Sequence, residues 1–265
     1  MTGSLNPTTR FSDRVANYIR YRPGYPSGVL DILRNETDLS PEKVVADIGC
    51  GTGISAELFL RNGNAVYGIE PNDAMRMAAE KLLGDYPNFH SLAASAEATA
   101  LGNSSIDMIV AAQAFHWFDR ERTRAEFIRI LHPSGWVVLL WNSRRSDTTP
   151  LLRGYEALLQ EFATDYREVN HQNIDEESVD RFYAPGHVTK RSIDNFQTFD
   201  FDGLQGRLLS SSYAPPPGHE RHLPMLAALR DLFEKHADET VAEDGTIRRC
   251  VRFEYDTEIY FGRLQ

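Results

Sequence analysis

The chain has 265 residues, of which 42% are hydrophobic and 25% charged, as in an ordinary folded globular protein. A net charge of −10 argues against a protein that holds nucleic acid electrostatically, and no run of 18 apolar residues suggests a membrane partner. Because the two cysteines are far apart and no Cys/His cluster has zinc spacing, we expect no disulfide framework, no metal and a reducing, cytoplasmic compartment.

The N-terminal segment combines aromatic rings with prolines. Residues 18–26 read Tyr-Ile-Arg-Tyr-Arg-Pro-Gly-Tyr-Pro, and the two prolines fix an extended or turned backbone. One interpretation is a flap that packs on the core. The other is a lid over a ligand, in which Tyr18, Tyr21 and Tyr25 supply rigid walls and Arg22 pairs with a carboxylate.

A strand, a glycine turn and a helix follow one another at residues 43–61. The apolar run from Val44 to Ile48 predicts a buried strand of a parallel sheet, and a helical pattern starts at Ile54. Cys50 fits the turn between them because its side chain is small. Glycines occupy alternate positions in this turn: Gly49, Gly51 and Gly53. Such a turn lets the backbone approach a ligand without a Cβ in the way, which predicts a nucleotide-type site.

The spacing of these glycines separates two classes of ligand. The dinucleotide fingerprint requires a third glycine three positions after the second, and those positions hold Ile54 or Ala56 here. The looser form of the fingerprint, which accepts alanine at the third position, would allow Ala56. Asp47 precedes the turn, where a carboxylate suits a ligand with a positively charged amino group. The sequence Asp-Ile-Gly-Cys-Gly-Thr-Gly resembles motif I of the class I methyltransferases that depend on S-adenosylmethionine (SAM). This resemblance implies that Asp47 and the turn hold the methionine part of SAM.

The predicted second strand, Ala65 to Ile69, ends in Glu70. Glu70 lies 17 positions after Gly53, where an acidic residue accepts hydrogen bonds from ribose hydroxyls in both SAM and NAD sites. Pro71 and Asn72 follow, and Asn72 is a plausible helix N-cap. Glu70 and Asn72 resemble motif II of the same family. This resemblance implies that Glu70, Pro71 and Asn72 contact the ribose or adenine.

The predicted third strand, residues 90–94, leads into Ser-Ala-Glu-Ala. In the family that the chain resembles, the turn after this strand lines the adenine. By position, this implies adenine contacts from Ala96 and Glu97. Taken alone, Glu97 is typical of a solvated helix start.

The predicted fourth strand, residues 105–113, runs into Gln-Ala-Phe-His-Trp-Phe. That sequence resembles the segment after strand four in the trans-aconitate methyltransferase-like group of methyltransferase type 11. The resemblance implies cofactor contacts from Gln113, Ala114 and Phe115 and acceptor contacts from His116 and Trp117. His116 has two interpretations, a catalytic base with a suitable pKa or a wall that packs between aromatic rings.

The C-terminal half adds two helical inserts and the end of the sheet. A turn at residues 132–135 precedes the predicted fifth strand, 136–141, and Asn142 at its exit is a candidate substrate contact. The resemblance to the family implies an anionic acceptor, with Arg144 or Arg22 as its partner. Helices are predicted over 151–166 and within 203–236, and an antiparallel pair of strands over 190–201 and 251–261.

The sequence predicts one α/β domain of Rossmann-like type. Its sheet has seven mostly parallel strands with the last pair reversed. We divide it into an N-terminal lid (1–40), a SAM-binding core (41–142), helical inserts with a strand (143–250) and a final strand (251–265). The implied function is methyl transfer from SAM to a small molecule, such as a carboxylate. A SAM-binding protein without transfer activity and an NAD-dependent oxidoreductase are the alternatives, and no pattern indicates an oligomeric state.

Overall fold

The computed structural model describes residues 19–164, 166, 176–241 and 245–264. Its centre is a sheet with strand order β3-β2-β1-β4-β5-β8-β6. β1 to β5 pair in parallel, and β8 pairs antiparallel with both β5 and β6. This confirms the predicted mixed α/β fold with a mostly parallel sheet. The strands are β1 (Val44–Ile48), β2 (Ala65–Ile69), β3 (Phe89–Leu92), β4 (Ile106–Ala112), β5 (Leu131–Arg144), β6 (Val188–Phe199), β7 (Asp238–Val241) and β8 (Ile247–Gly262).

Helices cover both faces of the sheet and build the late inserts. A short 3-10 turn, Phe115–Trp117, follows β4. The helices are α1 (Gly28–Glu36), α2 (Ile54–Arg61), α3 (Asp73–Leu82), α4 (Arg120–Ile130), α5 (Pro150–Phe162), α6 (Glu176–Tyr183), α7 (Phe201–Leu209) and α8 (His222–His236).

Three buried clusters hold the layers together. Two of them lie on the β1–β4–β5 part of the sheet, around side chains such as Phe127 and Phe59. The third joins α5, α7 and α8 to β8, and in it the Tyr155 and Phe253 ring centroids are 4.8 Å apart. The inserts are therefore part of the folded core, since their apolar faces are buried against strands.

β5 begins earlier than the sequence predicts. Leu131 pairs with Ile106 and Trp136 with Met108, so residues 132–135 form an irregularity opposite a single residue of β4. α4 still ends at Ile130, as the Pro-Ser-Gly turn indicates. The predicted turn is present, but it lies inside the strand as a bulge.

The structure contains an eighth strand, β7, which the sequence does not predict. β7 pairs antiparallel with the first residues of β8, outside the main strand path. The pairing is possible because β8 extends from Ile247, four residues before the predicted start at Val251.

The N-terminal segment packs on α7. A Cβ placed on Gly206 would lie 2.0 Å from the ring of Tyr21, so the helix accepts this ring only because glycine has no side chain. Tyr21 is thus a packing residue in this structure. Tyr18 and the rest of 1–18 lie outside the described residues.

The Gly53→Ala substitution is expected to destabilise the fold. Gly53 has φ +88°, and a Cβ there would lie 2.5 Å from Leu83 Cδ1. The backbone strain alone costs about 1–2 kcal/mol, and the overlap adds to it. Gly245→Ala is the matched control, because Gly245 has φ +79° and a Cβ there would meet nothing within 4 Å. Urea unfolding of both variants measures the difference, and equal losses of stability would contradict the overlap.

Candidate active site

A cavity of about 250 Å³ opens at the carboxyl ends of β1, β2 and β4. This edge is where open α/β sheets bind ligands. The glycine turn, Glu70 and the segment after β4 form its walls. The predicted site residues that line this main cavity are Arg22, Gly49, Gly51, Glu70, Pro71, Asn72, Ala96, Glu97, Gln113, Ala114, His116 and Trp117.

A smaller cavity of about 50 Å³, the side chamber, adjoins the main cavity. The two share part of their walls, namely Arg22, Gly49, Gly51, Ala112 and Gln113. The side chamber additionally contacts Tyr25, Asn142 and Arg207. The structure therefore brings Tyr25 and Asn142, which are predicted to contact an acceptor, to a space next to the predicted cofactor site.

Gly51 is the position in the glycine turn where a ligand can approach the backbone closely. Gly49, Gly51 and Gly53 all have positive φ, at +69°, +57° and +88°. A Cβ on Gly49 would lie 2.7 Å from Ala114 Cβ, whereas one on Gly51 would meet nothing within 4 Å. Since Gly51 lines both cavities, its missing side chain leaves open space for a ligand. Gly53 lines neither cavity and serves as the N-cap of α2.

Glu70 joins this turn to the start of α3. Its Oε2 accepts a hydrogen bond from Gly51 N at 2.9 Å, and its Oε1 accepts one from Asn72 N at 2.8 Å. Burial raises the pKa of Glu70, while the two N–H donors and Arg76 act in the opposite direction. A carboxylate oxygen has room for a second donor, so both oxygens can still accept from a ligand in the cavity.

Asp47 lies behind the cavity and does not line it, although the sequence places it in contact with the ligand. It is fully buried, and its Oδ2 accepts from the hydroxyl of Ser55 at 2.6 Å. Ser55 itself lines the side chamber. Within the described residues, Oδ1 makes no complete hydrogen bond, although the Ala56 N–H helps to lower the pKa. Burial dominates and raises the pKa of Asp47 to about 7.

Cys50 is a buried wall of the side chamber. Burial, together with the nearby charges of Asp47 and Glu70, raises the pKa of its thiol. A thiol with a raised pKa is a poor nucleophile at neutral pH. The geometry agrees with a small side chain that the turn requires.

The exit of β4 holds a residue in an unusual conformation. Gln113 has φ +56°, which non-glycine residues seldom adopt, and its Nε2 donates to the Asn142 carbonyl at 3.2 Å. Gln113 lines both cavities, and Ala114 lines the main one. Phe115, predicted beside them, instead points into the core and packs on Phe182 at 4.8 Å between ring centroids. A 3-10 turn puts successive side chains on different faces, which removes Phe115 from the cavity.

His116 and Trp117 form an aromatic wall with ring centroids 4.8 Å apart. Desolvation by the surrounding residues lowers the pKa of His116 to about 4. The side chain remains exposed to the open cavity, so solvent weakens this shift until the cavity is filled. The imidazole is neutral at pH 7 and a weak proton acceptor. This favours the wall over the catalytic base.

The turn after β3 also reaches the main cavity. Ala96 is buried in its wall, and Glu97 accepts a hydrogen bond from Asp119 N at 3.1 Å through Oε1. Asn72 caps α3, since its side chain accepts from Met75 N at 3.0 Å. Asn72 thus combines the capping role with a place in the cavity wall.

Arg144, a predicted partner for an anionic acceptor, lines neither cavity. It pairs with Glu156 and donates to the Tyr166 hydroxyl at 2.9 Å. Its side chain is only 8% exposed, and its guanidinium lies 5.2 Å from the centre of the Tyr155 ring. The pairing with the partly buried Glu156 carboxylate holds Arg144 outside both cavities, away from the predicted acceptor contact.

A different arginine, Arg207, does line one of the cavities. It lies on α7, is 6% exposed and lines the side chamber. The sequence contains a signal for it, because Leu204, Arg207 and Leu208 lie at the spacing of one helix face. A charged residue on an otherwise apolar helix face indicates that the charge is buried and has a specific role.

Comparisons with known proteins agree with this geometry. Residues 46–139 match the family described as "Methyltransferase domain". An uncharacterized methyltransferase-like protein of Schizosaccharomyces pombe is 30% identical over 58% of this chain and 59% of its own length. An uncharacterized methyltransferase of Mycobacterium tuberculosis is 33% identical over 51% of this chain and 52% of its own. The chain thus spans between half and six-tenths of these curated relatives.

Solved structures with the same fold include a candidate type II methyltransferase from Anaeromyxobacter dehalogenans. Its TM-score is 0.66 at 24% identity, covering 92% of this chain and 98% of that one. A phosphoethanolamine N-methyltransferase of Haemonchus contortus, solved with S-adenosylhomocysteine, has a TM-score of 0.51 at 13% identity, covering 95% and 57%. The family match thus places the similarity to methyltransferases in residues 46–139, and the solved structures share the fold of this chain.

Two features are missing from the described part of the chain. None of its helices is both long and apolar enough to cross a membrane. The same residues contain no group of three or more His, Cys, Asp or Glu side chains that could hold a metal ion.

Asp47→Asn is expected to change how stability depends on pH. The carboxyl titrates near 3.8 ordinarily and near 7 in the fold, so the folded state binds more protons between these values. The contribution of Asp47 to the free energy of unfolding therefore falls as pH rises through this window. Relative to wild type, the free energy of unfolding of the variant should rise by roughly 1–3 kcal/mol from about pH 5 to about pH 7.5. Urea unfolding at both values measures this, and a constant difference would contradict the raised pKa.

Proposed function

We propose that the protein transfers a methyl group from SAM to a small-molecule acceptor. One observation carries the proposal: a buried carboxylate, Glu70, faces the main cavity from the end of β2 and is fixed there by Gly51 N and Asn72 N. Such a carboxylate can accept from two ribose hydroxyls at once. The adjoining glycine turn leaves room for the amino-acid end of SAM.

The remaining walls fit the other parts of the cofactor. Ala96 and Glu97 are proposed to contact the adenine, and Pro71 and Asn72 the ribose. Asp47 lies behind the glycine turn, where it accepts a hydrogen bond from Ser55, and is proposed to attract the amino group of SAM from there. Gln113 and Ala114 border the position between cofactor and acceptor.

SAM, when bound, supplies a methyl group that is already strongly electrophilic. The protein therefore has to hold the acceptor in line with the methyl group and exclude water. His116 and Trp117 are proposed to form the wall that does so in the main cavity, while Tyr25 and Asn142 position the acceptor from the side chamber. The N-terminal segment, anchored on α7 through Tyr21, is proposed as a lid above them.

An NAD-dependent oxidoreductase remains the alternative for the Glu70 geometry, because NAD also carries a ribose. Calorimetric titration with SAM, S-adenosylhomocysteine and NADH separates the two. Binding of NADH but not of SAM would contradict methyl transfer. Release of labelled methyl from SAM to an added acceptor separates an enzyme from a binding protein.

Gly51→Ala is expected to weaken S-adenosylhomocysteine binding by at least about tenfold, since the new methyl group occupies the ligand's space. Gly245→Ala is again the matched control, because Gly245 also has a positive φ (+79°) and open surroundings but lies outside both cavities. Calorimetry should show unchanged affinity for that control. Equal affinity in both variants would mean that Gly51 does not face the cofactor.

A further inference from the structure

Arg207 is a buried cation whose partners are all uncharged. Its Nε donates to the Tyr255 hydroxyl and its Nη1 to the Ser211 hydroxyl, both at 3.1 Å. Among the described residues it forms no ion pair with a carboxylate. A guanidinium stays charged when buried, and an unpaired buried charge is unfavourable for the fold. A bound anion would supply the opposite charge that Arg207 lacks and would remove this cost.

The guanidinium is also held in one orientation. The Tyr255 hydroxyl that accepts from Arg207 donates in turn to Gln197 Oε1 at 2.8 Å. Tyr255 is fully buried, so this chain of hydrogen bonds is rigid. Pre-organised donors lose little entropy when a ligand binds, which suits Arg207 to recognition.

Both charged side chains among the described residues that line the side chamber are cationic, Arg207 and Arg22. No Asp or Glu is among these lining residues, although Asp47 lies directly behind Ser55. Arg144 shows the contrast, because its side chain is only 8% exposed but is paired with Glu156. Of these two arginines, the fold neutralises Arg144 and leaves Arg207 facing a cavity.

We propose that Arg207 is a specificity residue that binds an anionic oxygen group, a carboxylate or a phosphate, on the methyl acceptor. This rests on the proposed function. Two observations assign the anion to the acceptor rather than to the carboxylate of SAM. Arg207 does not line the main cavity that holds Glu70, and it shares the side chamber with Tyr25 and Asn142, the proposed acceptor contacts. Its helix α7 also lies outside residues 46–139, the part that matches the methyltransferase domain.

The test is calorimetric titration with matched charged and uncharged probes at saturating S-adenosylhomocysteine. Succinate is compared with succinamide, and glycerol phosphate with glycerol, which distinguishes a carboxylate from a phosphate. We expect wild type to prefer one anion over its uncharged counterpart by at least about tenfold. Arg207→Gln should abolish that preference and leave the affinity for S-adenosylhomocysteine within about twofold.

Three further variants guard against a purely structural effect. Arg207→Lys keeps the charge and should retain part of the preference, even if the glutamine variant folds poorly. Tyr255→Phe should reduce the preference, because it removes the acceptor that orients Arg207 Nε. The double variant Arg144→Gln/Glu156→Gln removes the other buried arginine together with its partner, and should leave the preference intact.

Several results would overturn the proposal. Wild type could bind no anion better than its uncharged counterpart, or Arg207→Gln could keep the preference. A large loss of S-adenosylhomocysteine affinity in Arg207→Gln would assign Arg207 to the cofactor instead. Failure of the proposed function is a separate result: wild type would then bind no S-adenosylhomocysteine, while the anion preference and its dependence on Arg207 could still be measured without it.

Discussion

The Glu70 carboxylate accepts two backbone hydrogen bonds, from Gly51 and from Asn72, and these join three elements of the site. Gly51 belongs to the turn after β1, Glu70 ends β2, and Asn72 caps α3. One buried group thus fixes the shape of the turn and the start of a helix while its remaining lone pairs face the main cavity. The positive φ of +57° favours glycine at position 51, and the absence of a side chain there leaves the space above the Cα open.

Around this centre, different parts of the chain supply the two cavities. The turns after strands β1 to β4 carry the residues proposed to hold the cofactor. The glycine turn also lines the side chamber, to which the N-terminal segment adds Arg22 and Tyr25. α7 contributes Arg207 to that chamber and receives Tyr21 on Gly206. Packing of the N-terminal segment and placement of the proposed anion-binding group therefore depend on the same short helix.

The sequence predicts the cofactor side of the site better than the acceptor side. Glycine spacing and the acidic residue at the end of β2 are local signals. Gly51 and Glu70, the residues they indicate, both line the main cavity. Contacts between distant elements leave no such signal: Arg144 pairs with Glu156 and Phe115 packs on Phe182, which removes both from the cavities. Arg207 reaches the side chamber through tertiary packing of an insert, and only its place on an apolar helix face indicates it.

The most direct test of the account is whether Glu70 recognises the ribose. Calorimetry would compare S-adenosylhomocysteine with its 2′-deoxy form, in wild type and in Glu70→Gln. We expect loss of the hydroxyl to weaken binding to wild type by about tenfold and to have a much smaller effect in the variant, because the hydroxyl and the carboxylate interact directly. If removal of the hydroxyl weakens both proteins equally, Glu70 does not contact the ribose, and the assignment of the main cavity to SAM would be contradicted.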